Sequence, residues 1–272
     1  MRKFITVVCI VFLSFGFAFS QLGDMDLTEF GSISAVKKQI EPFTDAFHSG
    51  LNVLTFTTAD APSILGINVS VFTGFSSIEK NSDIGLTEEG FTFSTLGVQA
   101  GFGTAGFEIY ARYFPEFETE DYSIDALGFG LKYDLSDMIP VVGFPSTSLY
   151  AEYNTQKFGA STSKVITENN VSGTVKTGID MSFSTINIGT IVGYDLIVLG
   201  IYGKLGVEIG NTTLTWNQGV ESGGQIVANE IEGDIETTAM RYAVGVTVFG
   251  FRAEIGGRGS NTSAGIGYGI SF

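Results

Sequence analysis

The last nine residues, Ala264-Gly265-Ile266-Gly267-Tyr268-Gly269-Ile270-Ser271-Phe272, decide how the rest of the chain reads. Taken in twos, they put Ala264, Ile266, Tyr268, Ile270 and Phe272 on one face of an extended strand. Only glycine and serine remain for the other face. Such a strand turns its apolar side to a nonpolar medium and its bare side to something crowded, either a filled lumen or another segment of the chain.

The same grammar runs backward through the sequence. Phe107, Ile109, Ala111 and Tyr113 alternate with Glu108, Tyr110 and Arg112. Leu127, Phe129, Leu131 and Tyr133 oppose Ala126, Gly128, Gly130 and Lys132, and Leu205, Val207 and Ile209 oppose Lys204, Gly206 and Glu208. Tyr242, Val244, Val246 and Val248 oppose Arg241, Ala243, Gly245 and Thr247, and Phe251, Ala253 and Ile255 oppose Arg252 and Glu254.

Composition agrees. The chain has 36 glycines and 24 phenylalanines but only 16% charged residues. A disordered chain is poor in aromatics, and a helical one loses about 1 kcal/mol at each interior glycine, so extended structure remains. Among the runs, Ser32 to His48 alone has helical spacing, with Ile33, Val36, Ile40, Phe43 and Phe47 on one face. Pro42 predicts a kink within it and Gly50 a stop.

At the front, Met1-Arg2-Lys3 is basic, Phe4 to Phe19 is almost unbroken apolar, and Ala18-Phe19-Ser20 is a cleavage signature. This predicts a secretory signal over residues 1–20, shorter than a bilayer-spanning helix needs. Cys9, the only cysteine, lies inside it, so no thiol chemistry is expected of the remainder. Of 14 basic residues Arg2 and Lys3 leave with the signal, so 12 face 29 acidic ones, a net charge of −17. That balance repels nucleic acid.

Alternation alone does not separate a soluble barrel from a membrane one, because the two differ only in which face points in. The signal, the terminal strand and aromatic residues near strand ends (Phe91, Tyr113, Phe114, Tyr133, Tyr150, Tyr153, Tyr194, Tyr242, Phe251) favour the membrane. Connections such as Phe249-Gly250 and Tyr194-Asp195 are short. Ser77 to Glu89, Pro115 to Asp121, Thr155 to Asn170 and Asn217 to Glu236 read as long polar loops. The expected architecture is all-β: an antiparallel transmembrane β-barrel of about 12–14 strands with an N-terminal amphipathic helix. The division is residues 1–20 signal, 21–50 helical plug and 51–272 barrel.

With these features in place, the terminal strand resembles the C-terminal signal by which bacterial outer-membrane proteins are recognised for barrel assembly. Tyr268 and Phe272 match its two aromatic positions. The resemblance implies barrel-assembly machinery and outer-membrane lipid as partners. Glu41-Pro42-Phe43, Gly50-Leu51-Asn52 and Ala59 to Val71 are similar to the opening of an uncharacterised family of predicted bacterial outer-membrane barrels with a short N-terminal helix. No activity is established for that family.

Glu108, Arg112, Lys132, Glu152, Lys204, Glu208, Arg241, Arg252 and Glu254 fall on the polar faces of their strands. Two readings fit them: salt bridges that fill the interior, or the lining of a passage for small or amphiphilic solutes. A third possibility is a non-transporting barrel that works through its loops. His48, three residues after Asp45, reads as an ordinary polar position near a helix end, and a lone histidine ahead of the barrel supports no enzyme. The acidic groups Glu79 to Glu89, Glu116 to Asp121 and Glu230 to Glu236 lack the spacing of a calcium loop, so neither metal nor cofactor is expected.

Overall fold

A computed structural model gives the fold and describes residues 44–62, 64–78, 91–118, 122–138, 144–168, 171–196, 198–222 and 225–272. The expected signal, Cys9, Pro42, the first part of the helical pattern and most of the 77–89 loop lie outside these residues.

Ten antiparallel strands among the described residues form a closed barrel. They are β1 (Gly66–Ile78), β2 (Phe91–Thr104), β3 (Phe107–Glu118), β4 (Tyr122–Asp134), β5 (Ser146–Glu168), β6 (Val171–Asp195), β7 (Leu199–Ser222), β8 (Gln225–Val248), β9 (Phe251–Arg258) and β10 (Asn261–Ser271). Each pairs with its neighbour in sequence, and β10 closes on β1 with Tyr268 opposite Val71 and Ile270 opposite Val69. The strand count is ten, lower than the expected 12–14. Two stretches that read as polar loops, Thr155 to Asn170 and Asn217 to Glu236, continue as strand, so that β5 to β8 have 23, 25, 24 and 24 residues. Thr, Val and Ile at alternate positions sustain an extended chain whatever the polarity of the other face.

Turn chemistry marks one end of the barrel. Ala105-Gly106 and Phe249-Gly250 take positive φ (51° and 78°, 50° and 84°) and join their strands by two-residue turns, and Leu196 N donates to Leu199 O at 2.8 Å across the β6–β7 connection.

The direction of the side chains settles which medium surrounds the wall. Phe107, Phe129 and Tyr242 are 47%, 50% and 46% exposed. On β7 the apolar outer residues run from Leu199 to Ile209, about 33 Å along the strand and about 25 Å in height at a tilt near 40°, which is the height of a lipid-facing band. Of the aromatic residues expected near the interfaces, Phe114 and Tyr150 instead point inward, 4% and 3% exposed. They share strand parity with Arg112 and Glu152, so the aromatic reading of strand ends ignored which face they occupy.

Above this band the alternation keeps its period but exchanges its faces. On β6 the outer residues change from Ile188 and Ile186 to Ser184, Ser182 and Asp180, while the inner ones change from Asn187 and Thr185 to Phe183, Met181 and Ile179. On β7 the outer Val207 and Ile209 give way to Asn211, Thr213 and Thr215, and the inner Lys204 and Glu208 to Leu214 and Trp216. Ser184 pairs with both Thr155 and Asn211, so three strands make the exchange at one hydrogen-bonded row. A nonpolar medium lies outside below that row and an aqueous one above it. From Asn211 to Ser222, β7 continues about 36 Å along the strand, about 28 Å in height at the same tilt.

Inside the barrel lies residue segment 44–62. It opens with a helix, α1 (residues 44–51), and then runs irregularly to Pro62. The expected amphipathic helix is, over these residues, buried nearly all round: Ala46, Phe47, His48, Ser49 and Leu51 have no exposed surface. Its surroundings are themselves divided, apolar toward Phe158 and Phe183 and polar toward Arg258. The interior segment passes residue 50, where the sequence reading begins the barrel, and the wall starts only at Gly66. An eight-stranded barrel is filled by its own side chains, and ten strands leave room for one chain segment.

The bare face of β10 is explained by this filling. A Cβ added at Gly265 meets Val53 and Leu54, and one at Gly267 meets Phe72 and Leu54. Glycine there lets the wall approach the plug.

Candidate functional site: the plugged lumen

Arg112 occupies the middle of the lumen. It projects inward from β3, is 1% exposed, and donates from Nη1 to Leu51 O at 2.6 Å and from Nη2 to Val53 O at 2.9 Å. Its guanidinium lies 4.2 Å from the Phe72 ring centre and 5.0 Å from that of Phe114. A planar fork with several donors suits the carbonyl at the C-terminal end of α1 and a second one two residues on, where the chain has left the helix and has no ladder partner.

Other lumenal charges act on the same segment. Lys132 pairs with Glu108 at 2.7 Å and donates to Thr58 O at 2.9 Å and Asp60 O at 2.6 Å. Glu254 accepts from Lys204 at 2.7 Å, from the Tyr202 hydroxyl at 2.9 Å and from the amide of Leu54 at 3.1 Å. Glu208, with no exposed surface, pairs with Arg258 Nε at 2.7 Å and Arg241 Nη1 at 3.7 Å and accepts from Asn52. Arg241 donates to Ser49 O at 3.3 Å, and Arg258 pairs with Asp45. Gln99 donates to Thr55 O at 2.8 Å, and Ser148 to Ala59 O. Glu152 accepts from Asn187 at 3.0 Å, bridging two strands instead.

Of the nine lumen-facing candidates, eight are therefore buried, seven of them in contact with the plug or with one another and Glu152 against Asn187 of the wall. Arg252 is half-buried and stands apart near the turn end. Tyr268 lies on the outer face, its ring centre 5.0 Å from that of Phe251, and Phe272 is 77% exposed while its backbone pairs with Ile67 at 2.9 and 3.1 Å. Arg258, Gln99, Asn52 and Tyr202 were missed. Arg258 shares the parity of Arg252 and Glu254, which is the signal that would have found it. Nothing marks Asn52 in the sequence, because its role depends on the path of an irregular segment.

His48 and Asp45 do not form a pair. Asp45 reaches Arg258, while the His48 ring stands edge-on to Phe183 with centres 5.6 Å apart and neither nitrogen has a hydrogen-bond partner. A Cβ at Gly210, the first inner position above Ile209, would strike this ring. Burial, with the Arg258 guanidinium nearby, pulls the imidazole down to about 3. The unfolded chain takes up this proton near 6.5, so the folded state binds fewer protons between those values and loses stability as pH falls through the window. Residues 44–62 are expected to become more accessible to protease at pH 4 than at pH 7, and His48→Leu to reduce that slope. Among the described residues no group of three or more His, Cys, Asp or Glu side chains is arranged to hold a metal.

Comparison with known proteins adds a family. A family model described as a family of unknown function, DUF6588, matches residues 84–270, most of the chain. The chain belongs to this family. The match begins beyond β1, so it covers β2 to β10 and leaves the plug outside. It agrees in kind with the resemblance drawn from residues 41–71, a family without established activity, while resting on other residues. No curated protein matches.

Solved structures similar to this DUF6588 chain include Ail, the attachment invasion locus protein of Yersinia pestis, at 12% identity over 77% of this chain and 99% of that one, TM-score 0.28. The translocator domain of the autotransporter NalP from Neisseria meningitidis shares 12% identity over 89% of this chain and 100% of its own, TM-score 0.35. The toluene transporter TbuX of Ralstonia pickettii shares 7% over 85% and 92%, TM-score 0.26. None of the three lends this chain a role.

Proposed function

We propose that this protein is a barrel of the bacterial outer membrane, sealed by its own N-terminal segment, that works through the wall it raises beyond the bilayer rather than through an open pore. The observation that carries this reading is the capture of segment 44–62 by Arg112, Lys132, Arg241, Glu254 and Glu208 at successive levels of the lumen. A water-filled passage would leave these charges to solvent. Here four of them close on main-chain groups of the plug and Glu208 on the Asn52 side chain.

The reversal of faces at Ser184 and Asn211 supports the second half of the reading. Above it, β5 to β8 present a polar outer surface carrying Glu232, Asp234 and Glu236 over an apolar lining. That is the construction of a soluble sheet, and long strands of this kind lie on the side opposite the short periplasmic turns. Passage of small or amphiphilic solutes would require displacement of the plug. No catalytic role is proposed.

Purified full-length protein in planar bilayers is expected to show no stepwise conductance, and steady steps from the unmodified chain would defeat the sealed reading. On intact cells, Thr213→Cys is expected to take up a membrane-impermeant maleimide while Ala253→Cys in the lipid-facing band does not. Equal labelling of both would remove the membrane boundary assigned here.

A further inference from the structure

Above the membrane boundary the wall is uneven. β9 ends at Arg258, opposite Arg241, and the chain turns back through Gly259 and Ser260 into β10, whereas β8 rises further. Among the described residues, the stretch of β8 from Gln225 to Ala239 pairs with β7 alone, which leaves about 50 Å of strand with an open edge. An exposed edge of that length is a template for another strand.

One bond fixes which groups the edge presents. Gly259 N donates to Met240 O at 2.9 Å, so Met240 turns its main-chain groups toward the β9 side. That direction alternates along a strand, and β8 keeps an unshifted register with β7 throughout. Thr238, Glu236, Asp234 and the even-numbered residues down to Glu230 therefore direct N–H and C=O to the open side. Their side chains are exposed on the outer face, and those from Glu230 to Glu236 all end in carboxylates, about 7 Å from one to the next. Thr213 Oγ1 donates to Asp234 Oδ1 at 2.9 Å, which ties this column to β7. On the inner face Ile235, with Leu214 and Trp216 of β7, belongs to the apolar lining.

The two faces choose the occupant. A second copy of β8 laid antiparallel along the edge would set carboxylate against carboxylate, and like charges directly opposite destabilise a pair. Cationic side chains at alternate positions match the column, and apolar ones between them join the lining. We propose that the β8 edge from Glu230 to Thr238 takes up an extended segment of a partner protein in which basic and apolar residues alternate, held main chain to main chain. The assignment rests on the reading of β5 to β8 as a wall raised into water. The unpaired main chain sets the place of the partner, and the carboxylates set its class.

The test uses full-length protein in detergent micelles and the fluorescence anisotropy of a labelled peptide alternating lysine and valine over about nine residues, the span from Glu230 to Thr238. Saturable binding is expected below about 1 mM, and binding about tenfold weaker or worse for a peptide with glutamate in place of lysine. In the paired register a lysine opposite a carboxylate turns its own amide toward β8. Methylating the lysine amides is therefore expected to weaken binding by about tenfold or more, and methylating the valine amides by less than about threefold. In the protein, Glu236→Pro removes an N–H on the open side and spares the β7 ladder. It should weaken binding about tenfold, where Glu236→Gln, which removes the charge alone, weakens it about two- to threefold. Heat-modified gel mobility reports folding of each variant, and the methylated peptides keep the test decisive if Glu236→Pro misfolds. No saturable binding up to about 1 mM, equal loss on methylating either set of amides, or binding unchanged in folded Glu236→Pro would overturn the assignment. Such a result with Thr213→Cys still labelled on cells leaves the raised wall standing; without that labelling, wall and edge fall together.

Discussion

Replacing Glu208 with leucine is expected to lower the stability of the barrel by about 3–5 kcal/mol, the cost of leaving buried charge without its partner. The side chain has no exposed surface and stands between Arg258 at 2.7 Å and Arg241 at 3.7 Å. Leucine keeps most of the volume, so the loss is electrostatic rather than a cavity. Equilibrium unfolding in urea from detergent micelles gives the number. Arg258→Leu alone should also destabilise, since it strips Asp45 as well as Glu208 of a counter-charge. The double variant should cost less than the two single losses together, with a coupling of about 0.5–3 kcal/mol for groups in direct contact. A loss below about 1 kcal/mol for Glu208→Leu would mean that water reaches this layer and screens it as it does a surface pair. The plug would then be loosely held.

Between Leu199 and Ile209, alternation named the lipid-facing and lumenal sides of β7, because within the band each face meets one uniform medium. Beyond Ile209 the same period continues with exchanged faces, and a reader who takes polarity for a loop signal ends the strand at Asn217 instead of Ser222. Polar outer residues such as Asn211, Thr213 and Thr215 mark water, not the end of the sheet.

The plug was legible only in part. Phe47 and Leu51 show helical spacing, but Thr55-Phe56-Thr57-Thr58 alternates like a strand and lies in the lumen as irregular chain. Its backbone groups find partners in Gln99, Ser148 and Lys132 rather than in a ladder. Contacts of that kind join residues 44, 89 and 74 positions apart, and no periodicity encodes them.

Arg112→Ala is expected to be the substitution that unseals the barrel. Each of its bonds to Leu51 O and Val53 O is a charged hydrogen bond, worth about 1.5–3 kcal/mol. The guanidinium also lies against Phe72 and Phe114, a contact of about 1–2 kcal/mol when desolvated. Discounting for non-additivity, docking of segment 44–62 should weaken by about 3–6 kcal/mol, which raises the undocked population by about 10²–10⁴. The barrel itself keeps its ladder, since Arg112 retains its backbone pairing with Gln99 and Gly128. Proteinase K should therefore cut near Phe47 and Phe56 in the variant while heat-modified mobility stays that of a folded barrel, and bilayers that are silent with the unmodified protein should show intermittent steps. Glu232→Gln, on the outer face above the band, is the matched control and should leave the bilayer silent. If the variant is cut by protease yet never conducts, the lumen collapses when the plug leaves, and the segment is part of the wall's support rather than its gate.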